Sequence, residues 1–260
     1  MLRKILIFLL SFICLAGNSF ALEIGSQEVE ITLTDSYVSR YIFRGQDLFP
    51  DNDGAHQPSV DITLPKLFYG TDVSLNVWGS FPLNDGHEDV EELDYTLTFS
   101  KDLNDLFSTS LGYTYFDYPN TVGTADVSEF WTSATLNEIP FLPFNVSATI
   151  FVGYDIGTRS GGPDKGLYYS WGFDTELLLP KAVLFQESQT LALGVVNWGN
   201  DGVAGLKPSS LYATELALST SYSLGSFKII PNLHYTINHE EEINSGNDEL
   251  WGGIEISYGF

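Results

Sequence analysis

The chain has 260 residues, 43% of them hydrophobic and 14% aromatic, and it carries 11 basic against 34 acidic side chains for a formal charge of −23. Contacts to a phosphate backbone need Lys and Arg, so this balance excludes nucleic acid as a partner. The single cysteine, Cys14, excludes a disulfide framework and thiolate metal sites.

Arg3 and Lys4 precede an apolar run over 5–15, followed by Ser19-Phe20-Ala21 in the small-x-small pattern of a secretory cleavage site. Residues 1–21 therefore read as a signal peptide and the mature chain as 22–260. The run is too short for the ~20 residues of a spanning helix. Phe12 and Ile13, ahead of Cys14, lack the small residues of a lipoprotein site. Removing Arg3 and Lys4 leaves 9 basic against 34 acidic residues, a balance of −25.

No later segment has the length of an apolar spanning helix, so a membrane role has to come through strands. Apolar positions recur at period two over twelve segments, 28–44, 58–66, 71–81, 91–100, 107–118, 128–137, 144–155, 166–178, 190–198, 210–223, 227–238 and 249–260. In the fourth, Leu93, Tyr95, Leu97 and Phe99 alternate with Glu92, Asp94, Thr96 and Thr98. Most approach the ~9–11 residues that a tilted strand needs to cross a bilayer. Alternation alone is shared with soluble β-sandwiches.

The connections separate the two. Those after odd segments are long and polar (46–57, 82–90, 119–127, 156–165, 199–209 and 239–248), and those after even segments are shorter apart from 179–189. Long loops at one end and tight turns at the other predict an all-β, antiparallel up-and-down transmembrane β-barrel of about 12 strands, with the long loops outside the cell. Tyr41, Phe43, Tyr115, Tyr154, Trp198, Tyr212 and Tyr235 fall toward the loops, and Phe68, Tyr69, Phe107, Phe144, Tyr222 and Phe227 toward the turns, as headgroup belts would. The final strand ends in Tyr258 and Phe260, an aromatic terminus resembling the signal read by the outer-membrane barrel assembly machinery. The implied location is the bacterial outer membrane, with its lipid and lipopolysaccharide as surroundings.

Two motifs carry a family resemblance. Ser36-Tyr37-Val38-Ser39-Arg40-Tyr41-Ile42-Phe43-Arg44-Gly45 and Gly112-Tyr113-Thr114-Tyr115-Phe116-Asp117-Tyr118-Pro119 resemble the first-strand and mid-chain signatures of the TorF-like porin family of proteobacteria, with a departure at Ser39-Arg40. The resemblance implies an outer-membrane barrel with a transport role. It supplies no substrate.

Charge on the lipid face costs ~2–4 kcal/mol for Arg or Lys at mid-bilayer, which fixes the phase of each strand. Val29, Ile31, Leu33, Tyr37, Tyr41 and Phe43 are then outward, and Glu28, Glu30, Arg40 and Arg44 inward. The same rule assigns Asp61, Asp72, Glu92, Asp94, Asp174, Glu176, Glu215, Lys228, His234 and Glu255 to the lumen. Ten acids against Arg40, Arg44 and Lys228 favour cations over anions. The expected function is passive diffusion of small cationic or neutral solutes. The alternative is a structural or adhesive barrel, its lumen plugged by pairs of these arginines with facing carboxylates.

Asp51-Asn52-Asp53-Gly54, Asp85-Gly86-His87-Glu88-Asp89 and Glu240-Glu241-Glu242 offer oxygen ligands, but their spacing fails the calcium-loop pattern, and no metal or other cofactor is expected. Asn145-Val146-Ser147 lies in a strand, and 159–166 lacks the ending of a phosphate loop. Of His56, His87, His234 and His239, only His234 lies inside a predicted segment, with Asn232 and Thr236 beside it and no nucleophile, so no enzyme is expected.

Overall fold

The computed structural model describes residues 22–24, 27–49, 53–84, 88–121, 126–139, 142, 144–156, 165–179, 189–201 and 208–260. The expected signal segment 1–21, the loop tip 85–87 and most of the loop 156–165 lie outside the described residues.

The strands are β1 (Leu22–Ile24), β2 (Gln27–Val38), β3 (Ile42–Phe43), β4 (Gln46–Asp47), β5 (Ala55–Phe68), β6 (Thr71–Pro82), β7 (Glu92–Asp102), β8 (Phe107–Asp117), β9 (Val127–Leu136), β10 (Val146–Asp155), β11 (Gly166–Leu179), β12 (Gln189–Asp201), β13 (Pro208–Leu224), β14 (Phe227–Asn238) and β15 (Glu249–Gly259). Every neighbouring pair from β5 to β15 is antiparallel, and β2 pairs with both β5 and β15. Twelve strands thus close into a barrel. Closure gives each strand a partner on both sides, the arrangement that hydrocarbon requires of a sheet.

Residues paired across strands share a face, so the register sorts the whole wall. Ile62 opposes Leu75, Val77 opposes Tyr95, Val152 lies between Thr132 and Tyr169, and Ile254 opposes Tyr37. These positions face outward. Leu75, Leu111, Ile150 and Leu250 are each more than half exposed there, an apolar band that matches lipid and not water. Phe68, Tyr69, Phe107 and Phe144 stand exposed at the turn end.

The turns follow local chemistry. Tyr69 and Gly70 both take positive φ (50° and 76°) in a two-residue hairpin, and Gly225 (φ 63°) opens another before Ser226. Eleven of the twelve expected segments match a barrel strand to within three residues at each end. The first does not: β2 stops at Val38, where the expected strand ran on to Arg44. After the Ser39 N–H donates to Gly252 O, the chain leaves the sheet and turns into the bore. Tyr41 and Phe43 are therefore not outward, and Arg40 and Arg44 are not wall residues.

One polar pair sits on the outward face. Asp35 opposes Pro58 and Ile256, and His56 opposes Tyr37 and Phe81, all at outward positions. His56 Nε2 lies 2.5 Å from Asp35 Oδ1. Tyr37 stacks on the His56 ring at 4.7 Å and Phe81 tilts over it at 6.4 Å, leaving His56 6% exposed. Pairing and an aromatic cover are what make polar groups tolerable there.

Candidate functional site

Segment 39–54 joins β2 to β5 and holds the small hairpin of β3 and β4. Its tip is Arg44-Gly45, with φ of 50° and 82°, the pair of left-handed residues that a two-residue turn demands. A Cβ on Gly45 would run into the Ala213 side chain on β13, so only glycine lets the tip seat against that wall. The Tyr41 hydroxyl donates to Glu92 Oε2 on β7 (2.8 Å), and Arg44 reaches Glu129 on β9. Around the sheet, β9 lies five strands from β2 in one direction and β13 three in the other. The hairpin therefore spans the bore. Asn244 in the last loop latches it, accepting from the Asp47 N–H at 2.8 Å and donating to Gly45 O at 3.0 Å.

Arg44 is the centre of this arrangement. Its two terminal nitrogens donate to the two Glu129 oxygens, 2.7 Å each, in the planar fork that guanidinium and carboxylate share. The guanidinium lies 4.6 Å from the Tyr168 ring centre, 4.7 Å from Phe43, 5.3 Å from Phe151 and 5.7 Å from Trp198. Burial works against its charge, yet the Glu129 hydrogen bonds and the fields of Glu129 and Asp155 hold its pKa above the ordinary arginine value. Glycine recurs under the acceptor: a Cβ at Gly153 would strike the Glu129 carboxylate.

A second knot forms beside it. Glu92, 1% exposed, accepts from Tyr41 and from Tyr118, each at 2.8 Å. Burial, then the Glu92 charge, raises both phenol pKa values, so both remain proton donors. Arg40 pairs with Glu249 on β15. Tyr41 and Phe49 form an apolar core under the loop with Val38 and Ala55, while Tyr168, Tyr212, Ala213 and Ile243 form another. The expected belt residues Tyr41, Phe43, Trp198 and Tyr212 thus belong to the interior at the loop end.

By register, Asp61, Asp72, Glu92, Asp94, Asp174, Glu176, Glu215, Lys228, His234 and Glu255 all lie on the inner face. They fall into two groups. Glu92 and Asp94 lie at the loop end against the hairpin, and at mid-height Glu215 is 2.8 Å from His234 Nδ1, whose ring stacks on Trp251 at 3.9 Å. Toward the turn end, Asp61 accepts from Asn76, while Asp174, Glu176 and Lys228 are exposed. The sequence reading passed over the inner-face acids Glu129, Asp155 and Glu249. Glu129 alternates in phase with Trp131 and Ser133, so its charge was a usable signal; Asp155 and Glu249 sit at strand ends and read as rim.

Beneath the hairpin is a cavity of ≈ 260 Å³ lined by Val38, Arg40, Tyr41, Ile42, Phe43, Gln57, Trp78, Asp94 and Trp251. Glu240, Glu241 and Glu242 belong to no metal-binding group among the described residues, and Asp51, Asn52 and 85–87 lie outside them.

No protein-family model and no curated protein matches the chain, so the TorF-like resemblance rests on its two motifs. Solved structures do match in fold. LpxR from Salmonella typhimurium aligns at 11% identity over 87% of this chain and 99% of its own, with a TM-score of 0.54. An outer-membrane channel from Pseudomonas putida F1 aligns at 10% identity over 94% and 98%, TM-score 0.51. A bacterial polysaccharide outer membrane secretin aligns at 10% over 89% and 98%, TM-score 0.51. At these identities the likeness is one of fold, that of the outer-membrane β-barrels.

Proposed function

We propose that the protein is a porin-like channel of the bacterial outer membrane, passing small cationic or neutral solutes by diffusion. The observation that carries this reading is the inner wall below the hairpin, where Asp61, Asp72, Asp174, Glu176 and Glu255 face Lys228 alone among the named charges. A negative wall lowers the energy of a cation and raises that of an anion. The likeness to an outer-membrane channel supports the fold half of the argument. In this reading the long loops face the outside and the turn end the periplasm, with the segment 39–49 forming the constriction.

A second reading has its own support. A hairpin held across the bore by a bidentate pair and an asparagine latch is also what a plugged, structural barrel needs. Single-channel recording of the purified protein in a planar bilayer separates the two. Discrete cation-selective steps are expected; silence in the unmodified protein would leave the plugged barrel.

Assembly is proposed to run through the C-terminal strand and the barrel assembly machinery. The Phe260 N–H donates to Ile31 O, and its ring meets Tyr258 at 4.6 Å, so the terminus closes the seam with β2. Deleting Phe260 should lower the yield of heat-modifiable protein in the outer membrane; normal yield would remove the signal reading.

A further inference from the structure

Four of the five tryptophans face the lumen: Trp78, Trp131, Trp198 and Trp251, on β6, β9, β12 and β15, three strands apart around the barrel and each within four residues of the loop end of its strand. Three of them seat the hairpin. Trp198 lies by the Arg44 guanidinium and against the Tyr168 and Tyr212 core, while Trp78 and Trp251 pack on the core of Tyr41 and Phe49. Trp131 packs on neither core. It stands two residues below Glu129 on β9, about 7 Å nearer the turn end, and is half-buried. Its cross-strand neighbours are Gly112 and Gly153. A Cβ on Gly112 would strike the middle of the indole, and the indole N–H donates to Thr114 Oγ1 at 3.1 Å, so the ring lies on the wall with its other face toward the bore. Glycine inside a strand marks such a close approach. Thr98 continues the same row on β7, and Ser110 pairs with Ser133 in the next row toward the turn end. These three hydroxyls make no hydrogen bond among the described residues. Below Glu129 the inner positions of β8, β9 and β10 carry no charge, whereas Glu255 lies on β15, six strands away in either direction.

We infer that this uncharged side of the lumen is a binding site for neutral saccharides, with one pyranose unit stacked by its C–H face on Trp131 and its hydroxyls meeting Thr98, Ser110 and Ser133, directly or through one bridging water. A sugar ring is apolar on its faces and rimmed by groups that both donate and accept. The wall matches it: an indole face surrounded by serine and threonine hydroxyls, which also do both. An aromatic solute would use the ring and leave the hydroxyls idle, and a linear polyol would do the reverse. Inorganic cations belong to the acidic side, and an acidic sugar would meet the field of Asp61 and Glu255 across the bore. The inference rests on the channel reading for its biological sense, and it names the class of neutral solute.

The test uses the full mature protein in detergent, titrated by calorimetry with cellobiose, maltose, lactose and trehalose, and with sorbitol as the polyol that lacks a ring. Saturable binding of at least one disaccharide is expected, with sorbitol weaker by about tenfold or more. Trp131→Ala should weaken the disaccharide about tenfold, Trp131→Phe should restore part of that loss, and Ser110→Ala with Ser133→Ala should cost about threefold. Gly112→Ala displaces the indole from the wall and should match Trp131→Ala. Heat-modifiable migration checks that each variant folds; if Gly112→Ala does not, the two Trp131 variants decide. No binding of any of the four disaccharides, equal binding of sorbitol, or disaccharide binding untouched by Trp131→Ala overturns the site. Binding in a protein that passes no current in a planar bilayer would sink the channel and spare the site; current without disaccharide binding or block would do the reverse.

Discussion

At the loop end of the lumen, Glu92 and Glu129 are 1% exposed and hold Tyr41, Tyr118 and Arg44 by short hydrogen bonds; at the turn end, Asp174, Glu176 and Lys228 stand exposed. The residue types are the same and the physics is not. A buried charge keeps its form only when its partners replace water, so the loop-end groups fix the position of the hairpin. An exposed charge keeps its water and contributes a field that salt screens. The first set shapes the bore and the second set sorts what enters it.

Breaking the loop-end pair should therefore give the largest effect. Glu129→Ala leaves Arg44 buried without its acceptor, a change that costs about 3–5 kcal/mol in comparable settings. Urea unfolding in detergent, followed by tryptophan fluorescence, should show that loss. The double variant Arg44→Met, Glu129→Met should recover most of it, because replacing both partners by apolar groups removes the unpaired charge. A single variant as stable as its parent would mean that the hairpin is anchored elsewhere, with Asn244 the next candidate.

The second expected effect is on conductance. Replacing residues 41–47 by a Gly-Ser linker removes the tip, its Glu129 anchor and the Tyr41 contact with Glu92, so the unit conductance should rise several-fold in planar bilayers. Asn244→Ala removes only the latch to Asp47 and Gly45 and should raise open-state noise by less. Unchanged conductance on hairpin removal would show that the constriction lies in the wall.

How much of this contrast the sequence displayed follows from the same division. The wall obeys a period of two, so apolar and polar positions identified the strands and the inward phase of Asp61, Asp174, Lys228 and Glu255 without any knowledge of partners. Hydrocarbon enforces that pattern locally, residue by residue. The hairpin obeys no local period. Tyr37, Tyr41 and Phe43 extended the outward alternation past Val38, and only the distant Glu92, Glu129 and Ala213 draw the chain inward. Arg44-Gly45 was a readable turn pair, yet it was outweighed by the aromatic rhythm around it. Asp35 broke the phase rule in plain sight, because a paired group escapes the cost that the rule counts, while its partner His56 lay in an expected loop and enters the sheet only because β5 starts at Ala55.

The smallest expected effect sharpens the other half of the comparison. Asp61→Asn with Glu255→Gln removes two charges from the turn-end wall, where Asp61 and Glu255 lie in each other's field and Lys228 acts on Glu255. Both replacements keep hydrogen-bonding capacity, so stability should change by less than about 1 kcal/mol, as for other partly exposed charges. Reversal potentials across a salt gradient should show a weaker cation preference, whereas Lys228→Gln should strengthen it. Both shifts should fade as salt rises, since the screening length falls from roughly 10 Å at 0.1 M to about 3 Å at 1 M. The Arg44→Met, Glu129→Met protein is the control that completes the contrast. It removes one charge of each sign from the buried end and should leave the reversal potential where it was; a shift as large as that of the turn-end variants would place the selectivity at the hairpin and erase the distinction between the two ends.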